Sequence, residues 1–312
     1  MRIIETANQM QSWGVDRISE GDSIGFVPTQ GCLHEGHASL LHRARTECDR
    51  VVLSVFVNPL QFRKPAYEDY PRRVDSDLKI ADECGVDAAF VPSFTSIYPY
   101  GLELDELFSL QSGDTGPRHE GEFTSDAVGT DNSMNYVRVP DRLVMRMDGK
   151  GYPWHFDGVA TVVRRLFEIV NPTKAYFGQK DIQQLAILDS MNQWLNTGID
   201  IVQVPIYRDA DGLSSSSRLT LLDPDQRAIA IKVTQIINQH SKQSGQRAKA
   251  VLESLKNALH ELSDSEDQLE VDAVECINPK SLDPAMVIGQ NSALYVAFVI
   301  NGLRLAETRW CK

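Results

Sequence analysis

Two histidines three residues apart, His34 and His37 in the stretch PTQGCLHEGH (28–37), carry the first chemistry that this chain offers. One nitrogen of an imidazole can donate a hydrogen bond while the other accepts, so a pair on one helical face can stabilise charge developing on a phosphate oxygen. Gly31 and Gly36 remove Cβ atoms where a nucleotide must approach the backbone, and Pro28, Thr29 and Gln30 lead into the turn. The pattern is H-x-G-H. It is not the P-loop, which has four residues between its glycines and a lysine directly after the second. A surface turn with two solvated histidines is the plain alternative.

Three further polar clusters follow. In FVNPLQF (56–62), Asn58 and Gln61 offer amides that can grip a carboxylate or hydroxyl; a strand-ending Asn-Pro turn would look the same. In FGQKDIQQL (177–185), Gly178 allows close approach and Lys180 is a point cation for phosphate. Asp181 can accept from a ribose hydroxyl or cap a helix, and Gln184 can donate to a second ligand. A well-capped surface helix is the competing reading there. In RDADGLSSSSRL (208–219), Ser216, Ser217 and Arg218 form a compact grip for polyphosphate, unless the run is only a Ser-rich linker.

The elements that must position these residues are legible from periodicity. The apolar run 24–27 precedes the histidine turn, and Leu40, Leu41 and Ala44 recur at helical spacing after it, so the turn joins a buried strand to a helix. Backbone N–H groups at a helix start lack intrahelical partners and the helix dipole adds positive charge, which makes such a junction an anion site. Strand-like runs at 50–57, 86–93, 173–179 and 199–206 alternate with helical ones at 71–85 and 156–170. Such alternation predicts an α/β domain with a doubly wound, Rossmann-like parallel sheet over residues 1–206, with ligands at the carboxyl ends of the strands. Between residues 101 and 134 the pattern fails in a polar, Gly- and Ser-rich stretch that reads as a long loop or mobile insert. From 207 to 312, helical patterns at 225–241 and 246–262 and strand-like runs at 268–277 and 293–300 predict a smaller α+β domain.

Composition narrows the function. A formal net charge of -12 over 312 residues argues against a nucleic-acid partner, whose domains carry basic surfaces. No N-terminal apolar run resembles a signal peptide and no eighteen consecutive residues are apolar, which predicts a soluble cytoplasmic protein with no membrane contact. The five cysteines are odd in number and scattered, so neither a disulfide framework nor a zinc site is indicated.

In order along the chain, GFVPTQGCLHEGHASLL, FVNPLQF, DYPR, IYP, HFDGVATVV, AYFGQKDIQQ and DGLSSSSR resemble the pantoate–β-alanine ligase family, the pantothenate synthetases of the HxGH nucleotidyltransferase superfamily. The wording of GCLHEGHASL and FGQKDIQQ is most similar to fungal members. The resemblance implies a HUP-type fold and a homodimer. It also implies ATP with magnesium as cofactors and a two-step reaction in which an acid is adenylated and an amine then displaces AMP. Carried over by motif, His37, His34 and Lys180 are catalytic. Pro28, Thr29, Gln30, Gly31, Gly36, Gly178, Asp181, Tyr207, Ser215, Ser216, Ser217 and Arg218 join them in binding the nucleotide. The acid and amine fall to Gln61, Gln184, Asn58, Tyr70 and the methyl-bearing Val159, Val162 and Val163. No magnesium ligand is assigned.

The departures cluster at the acid and amine end. Gln30 stands where the family has Met, Tyr152 where it has the Arg of R-P-x-H-F, and Ser215 and Leu219 flank the SSR core. The acidic helix after YPR, near magnesium in some members, keeps Asp77 but has Ser76 and Ile80 beside it, and the polar insert is longer than in bacterial members. Three readings follow: an ordinary pantoate–β-alanine ligase, a diverged ligase for another small acid or amine, and a catalytically silent nucleotide-binding protein. Intact His34, His37, Lys180, Ser216, Ser217 and Arg218 weigh against the third.

Overall fold

The computed structural model describes residues 1–99, 103–109, 121–128 and 134–311. The chain divides into two compact units, residues 1–178 with 187–204, and residues 179–186 with 205–312. The short segment 179–186 therefore groups with the C-terminal residues rather than with the strand that precedes it.

The first unit contains β1 (Arg2–Ile4), β2 (Ile24–Thr29), β3 (Arg50–Val55), β4 (Ala88–Phe90), β5 (Thr124–Val128), β6 (Met134–Arg138), β7 (Lys174–Gly178) and β8 (Asp200–Val204). Six of these form one sheet in the order β1-β4-β3-β2-β7-β8, and every recorded pairing in it is parallel. Its strands are near-continuous apolar runs, as a sheet covered on both faces requires; β3 is buried throughout except at Arg50. Leu41 and Ala44 of the helix Glu35–Glu47 pack with Val27 and Leu53 in one cluster, and burying each such leucine contributes about 1.5–3 kcal/mol.

From β2 the chain runs through β3 to β4 on one side, and from β7 it runs to β8 on the other. Strand order therefore reverses between β2 and β7, the place where open α/β sheets bind ligands. The two strands pair only at Gly25 and Phe26, whereas β2 pairs with β3 over its whole length. Beyond Phe26 the carboxyl ends of β2 and β7 are no longer joined to each other. The expected helix at 156–170 is present as Pro153–Val170, begun by a proline in its first turn and ended by Asn171 in the left-handed region.

Residues 101–134, expected to be a long loop or mobile insert, include regular structure among the described residues. A helix spans Leu104–Ser109, and β5 pairs antiparallel with β6. Tertiary contacts rather than local pattern hold this hairpin: the Val137 and Val139 N–H groups bond to Thr161 Oγ1 and Asp157 Oδ1 of the helix Pro153–Val170, each at 2.9 Å. The remainder of that expectation, residues 101–102, 110–120 and 129–133, lies outside the described residues.

In the second unit the helices Pro224–His240 and Ala248–Ser265 accompany an antiparallel sheet of β9 (Leu269–Ile277), β10 (Ala293–Ile300) and β11 (Leu303–Trp310), in the order β11-β10-β9. The strand β11 has no counterpart among the expected elements. Asn301 and Gly302, both at positive φ (47° and 81°), turn β10 directly into it. Among the described residues all five cysteines are free thiols, and no helix is long and apolar enough to cross a membrane.

Candidate active site

The histidine loop is built from its ends inward. At the end of β2, Thr29 Oγ1 donates to the Ser54 carbonyl (2.7 Å) and accepts from the Gly31 N–H (3.2 Å), so the hydroxyl of this residue, expected at the nucleotide, is engaged within the fold. Gly31 has φ +83°, and a Cβ on it would lie 2.7 Å from Asp77 Oδ2. Asp77 is 1% exposed and its two oxygens accept from the N–H groups of Cys32 (3.0 Å) and Leu33 (2.7 Å). This carboxylate, kept on the acidic helix after YPR, anchors the loop. Burial raises the Cys32 thiol, as does Asp77, with Arg73 opposing, so Cys32 is not poised as a nucleophile.

His34 is the N-cap of the helix Glu35–Glu47. Its Nδ1 accepts from the Gly36 N–H at 3.1 Å, while His37 Nδ1 accepts from the His34 N–H at 3.3 Å. The histidines thus make a reciprocal capping box, with ring centroids 4.1 Å apart. An Nδ1 that accepts a backbone hydrogen carries no proton, so in the neutral ring the proton sits on Nε2. Capping selects the tautomer that makes each Nε2 a donor, at a helix terminus that already favours anions.

Asp77→Ala tests the anchor. It removes the acceptor of two backbone N–H groups, each costing about 1–3 kcal/mol if left buried and unpaired. A lower melting temperature is expected together with slower adenylation, with Asp77→Asn milder because one acceptor oxygen remains. Wild-type melting and activity in Asp77→Ala would rule the anchor out.

Gln30 is half-buried, and its Oε1 is buried with no hydrogen-bond partner. A group of this kind costs free energy unless a ligand or water satisfies it.

Asn58 was expected to meet a substrate, but it is 1% exposed and its amide is consumed within the fold. Tyr98 Oη donates to its Oδ1 at 2.8 Å, and its Nδ2 donates to Gln61 Oε1 and to the Gly158 carbonyl, both at 3.0 Å. Asn58 is therefore a strut. By occupying Gln61 Oε1 it orients that amide, leaving Nε2 as the end with which Gln61 can donate to a ligand. The turn Pro59–Gln61 presses so closely on the helix Pro153–Val170 that a Cβ on Gly158 would lie 2.4 Å from the Leu60 carbonyl oxygen. Val159, Val162 and Val163, 2–5% exposed, lie on the same helix, His155 Nδ1 is 2.8 Å from the Gln61 carbonyl oxygen, and Tyr70 packs on Phe62 at 5.2 Å between centroids. Tyr152, where the resemblance led to an expectation of arginine, is half exposed with the Arg63 guanidinium 5.9 Å from its ring centroid.

Gly178 ends β7, and the position a Cβ would take there has no atom within 4 Å. In the second unit, Lys180 Nζ lies 3.3 Å from Asp181 Oδ1, the Asp181 carbonyl accepts from Leu185 N–H, and Gln184 is half-buried in the first turn of the helix Ile182–Leu195. The SSR segment is a built turn. Arg208 and Ser214 bridge antiparallel across a loop in which Gly212 takes φ +90°, and Arg227 holds Asp209 and Asp211 at 2.9 and 2.7 Å. Ser216 Oγ accepts from the Arg218 N–H at 3.2 Å, while Ser217 and Arg218 are exposed. Ser215 is buried and its N–H bonds to the carbonyl of the exposed Tyr207. Lys180, Ser214, Ser216, Arg218, Thr234 and Glu307 line one concavity of this unit. Sequence reading missed Ser214, Thr234 and Glu307; a carboxylate in phase with Leu303 and Leu305 was the available signal for the last.

Comparison with known proteins bears on this arrangement. The family model described as pantoate-beta-alanine ligase matches residues 2–309. The pantothenate synthetase of Heliobacterium modesticaldum is 36% identical over 310 residues (98% of each chain), and that of Corynebacterium glutamicum 39% identical over 302 residues (94% of this chain, 95% of that one). The crystal structure of pantothenate synthetase from Thermus thermophilus superposes with a TM-score of 0.78 at 31% identity, covering 99% of both chains. Pantoate-beta-alanine ligase from Francisella tularensis, complexed with beta-gamma ATP and beta-alanine, superposes with 0.72 at 28% identity, over 99% of this chain and 97% of that one. With matches that run end to end and a strand-helix junction built around H-x-G-H, the chain belongs to the pantoate–β-alanine ligase family.

Proposed function

We infer that this chain is an ATP-dependent, AMP-forming ligase that joins pantoate to β-alanine. In the first step a carboxylate oxygen of the acid attacks the α-phosphorus of ATP, and the bond to pyrophosphate breaks. The amine nitrogen then attacks the acyl carbon, AMP leaves, and the nitrogen loses its proton as the amide forms. The observation that carries this reading is the reciprocal cap of His34 and His37, which makes each Nε2 a donor suited to the charge that grows on the α-phosphate. Lys180, Ser216, Ser217 and Arg218 are assigned to the outer phosphates. Gly178 and Asp181 go to the ribose region, and Gln61, Gln184, Val159, Val162 and Val163 to the acid. Among the described residues no three His, Cys, Asp or Glu side chains gather into a metal site. Magnesium would be supplied with ATP, held by its phosphates, and would offset part of their negative charge. We take the enzyme to be a cytoplasmic homodimer acting on small molecules, without nucleic acid or membrane.

One observation favours a second reading, a ligase for a more polar acid: the buried Gln30 Oε1 has no partner. Incubating the protein with MgATP, pantoate and β-alanine tests both. Release of AMP, pyrophosphate and pantothenate at kcat/KM of about 10⁴ M⁻¹s⁻¹ or more supports the first reading. In the second, pantoate is used poorly and Gln30→Met raises its kcat/KM, because discrimination between substrates is a ratio of such constants. If the native protein is efficient and the substitution only impairs it, the polar-acid reading fails. No pyrophosphate with any small acid would leave a silent nucleotide-binding protein.

A further inference from the structure

The second unit's cations and hydroxyls are not simply displayed on loops. The last strand, β11, reaches both of the segments that carry them. Glu307 is 3% exposed; its carboxylate accepts from Ser214 Oγ at 2.6 Å and pairs with the Arg208 guanidinium. Arg208 Nη2 donates to the Thr308 carbonyl at 2.9 Å and its Nη1 to the Gly212 carbonyl at 3.1 Å, so both arms of the turn 208–214 are fixed to one residue pair. On the other side, Thr308 Oγ1 donates to the Lys180 carbonyl at 2.9 Å and Trp310 Nε1 to the Gln179 carbonyl at 3.1 Å. Adjacent residues of one strand thus hold the backbone of Lys180 and the turn that leads into Ser216 and Arg218.

We propose that Glu307 is a positioning residue: through Ser214 and Arg208 its carboxylate holds the turn 208–218 in the geometry that presents Ser216 and Arg218, while its neighbour Thr308 fixes Lys180. A charge in this place has a physical use. Arg208 and Arg309 both meet this carboxylate, Arg309 Nε at 3.7 Å, and burial followed by the Arg208 charge pulls Arg309 below its ordinary value while Glu307 opposes this. Without the carboxylate two guanidinium groups would repel across the base of the turn, and a buried ion pair that loses one partner leaves the other uncompensated. A neutral residue of the same shape could fill the space but could not bind Ser214 and Arg208 at once in this way. The consequence for ATP rests on the function proposed above; the consequence for the turn does not.

The test uses the full-length protein with Glu307→Gln and Ser214→Ala, the second removing one link without unburying a charge, and Thr308→Val for the Lys180 side. Hydrogen exchange without nucleotide is expected to speed up over residues 208–218 in the first two variants while the helices 224–240 and 248–265 keep wild-type protection. The KM for ATP is expected to rise roughly tenfold in each of the three with kcat changed less, as loss of a preset phosphate contact requires. Unchanged exchange over 208–218 in both Glu307→Gln and Ser214→Ala overturns the proposal, as does exchange that rises uniformly through the unit. Faster exchange confined to the turn with an unchanged KM supports the positioning role and instead removes Ser216 and Arg218 from the ATP site.

Discussion

Replacing His37 by alanine is expected to slow acyl-adenylate formation by about two to three orders of magnitude, the range lost when one preorganised transition-state donor is removed. The size follows from geometry. His37 Nδ1 accepts from the His34 N–H, which fixes the ring and places its proton on Nε2 before any substrate arrives. That donor is worth most in the transition state, when charge on the α-phosphate is greatest, so kcat should fall more than KM rises. Alanine also leaves the His34 N–H without its capping acceptor, a loss of about 0.5–2 kcal/mol of helix stability that a melting curve would register separately. His37→Asn separates the two effects, because its side chain can still accept from the His34 N–H but has no nitrogen where Nε2 was. It should melt near the native protein and remain slow. Near-native pyrophosphate release by either variant would sink the assignment of His37 as the α-phosphate donor.

How far such arguments reach from sequence alone depends on where a residue finds its partners. The histidine turn was legible because its determinants are local: an apolar strand, two glycines and a helical stripe within about twenty residues. The doubly wound sheet was legible for the same reason, since alternation of strand and helix periods is itself the topology. The internal partners of the Asn58 amide lay beyond a local reading because they come from Tyr98 and Gly158, 40 and 100 residues away. No spacing rule reports such a contact. The hairpin of β5 and β6 was missed on similar grounds, its backbone being satisfied by Thr161 and Asp157 of a later helix. The strand β11 is a different case. Asn301-Gly302 after a strand is a strong hairpin signal, and taking it up would have brought Glu307 and Thr308 into the reading.

Removing the two cations of the second unit, by Lys180→Ala and Arg218→Ala, is expected to raise the KM for ATP by roughly 10–100-fold in each case, as loss of a charge-assisted contact predicts. Neither side chain has much to do in the fold. Lys180 pairs with Asp181 at 3.3 Å, but Asp181 is 64% exposed, and such surface pairs contribute little. Arg218 is exposed and reaches the Arg304 carbonyl only at 3.4 Å, near the limit of a useful hydrogen bond. Melting temperatures should therefore move by no more than about 2 °C, and a larger drop would mean that the kinetic loss reflects unfolding. Lys180→Arg is informative because it keeps the charge but replaces a compact ammonium with a planar fork; a partial rescue marks a contact that needs charge more than shape. If both cations act on one polyphosphate, the double variant should lose less than the product of the single losses, since a phosphate chain freed from one contact has already lost part of its alignment with the other. Native KM values for ATP in both single variants would remove this pair from the nucleotide site and leave the phosphates to the H-x-G-H loop and the Ser216 and Ser217 hydroxyls.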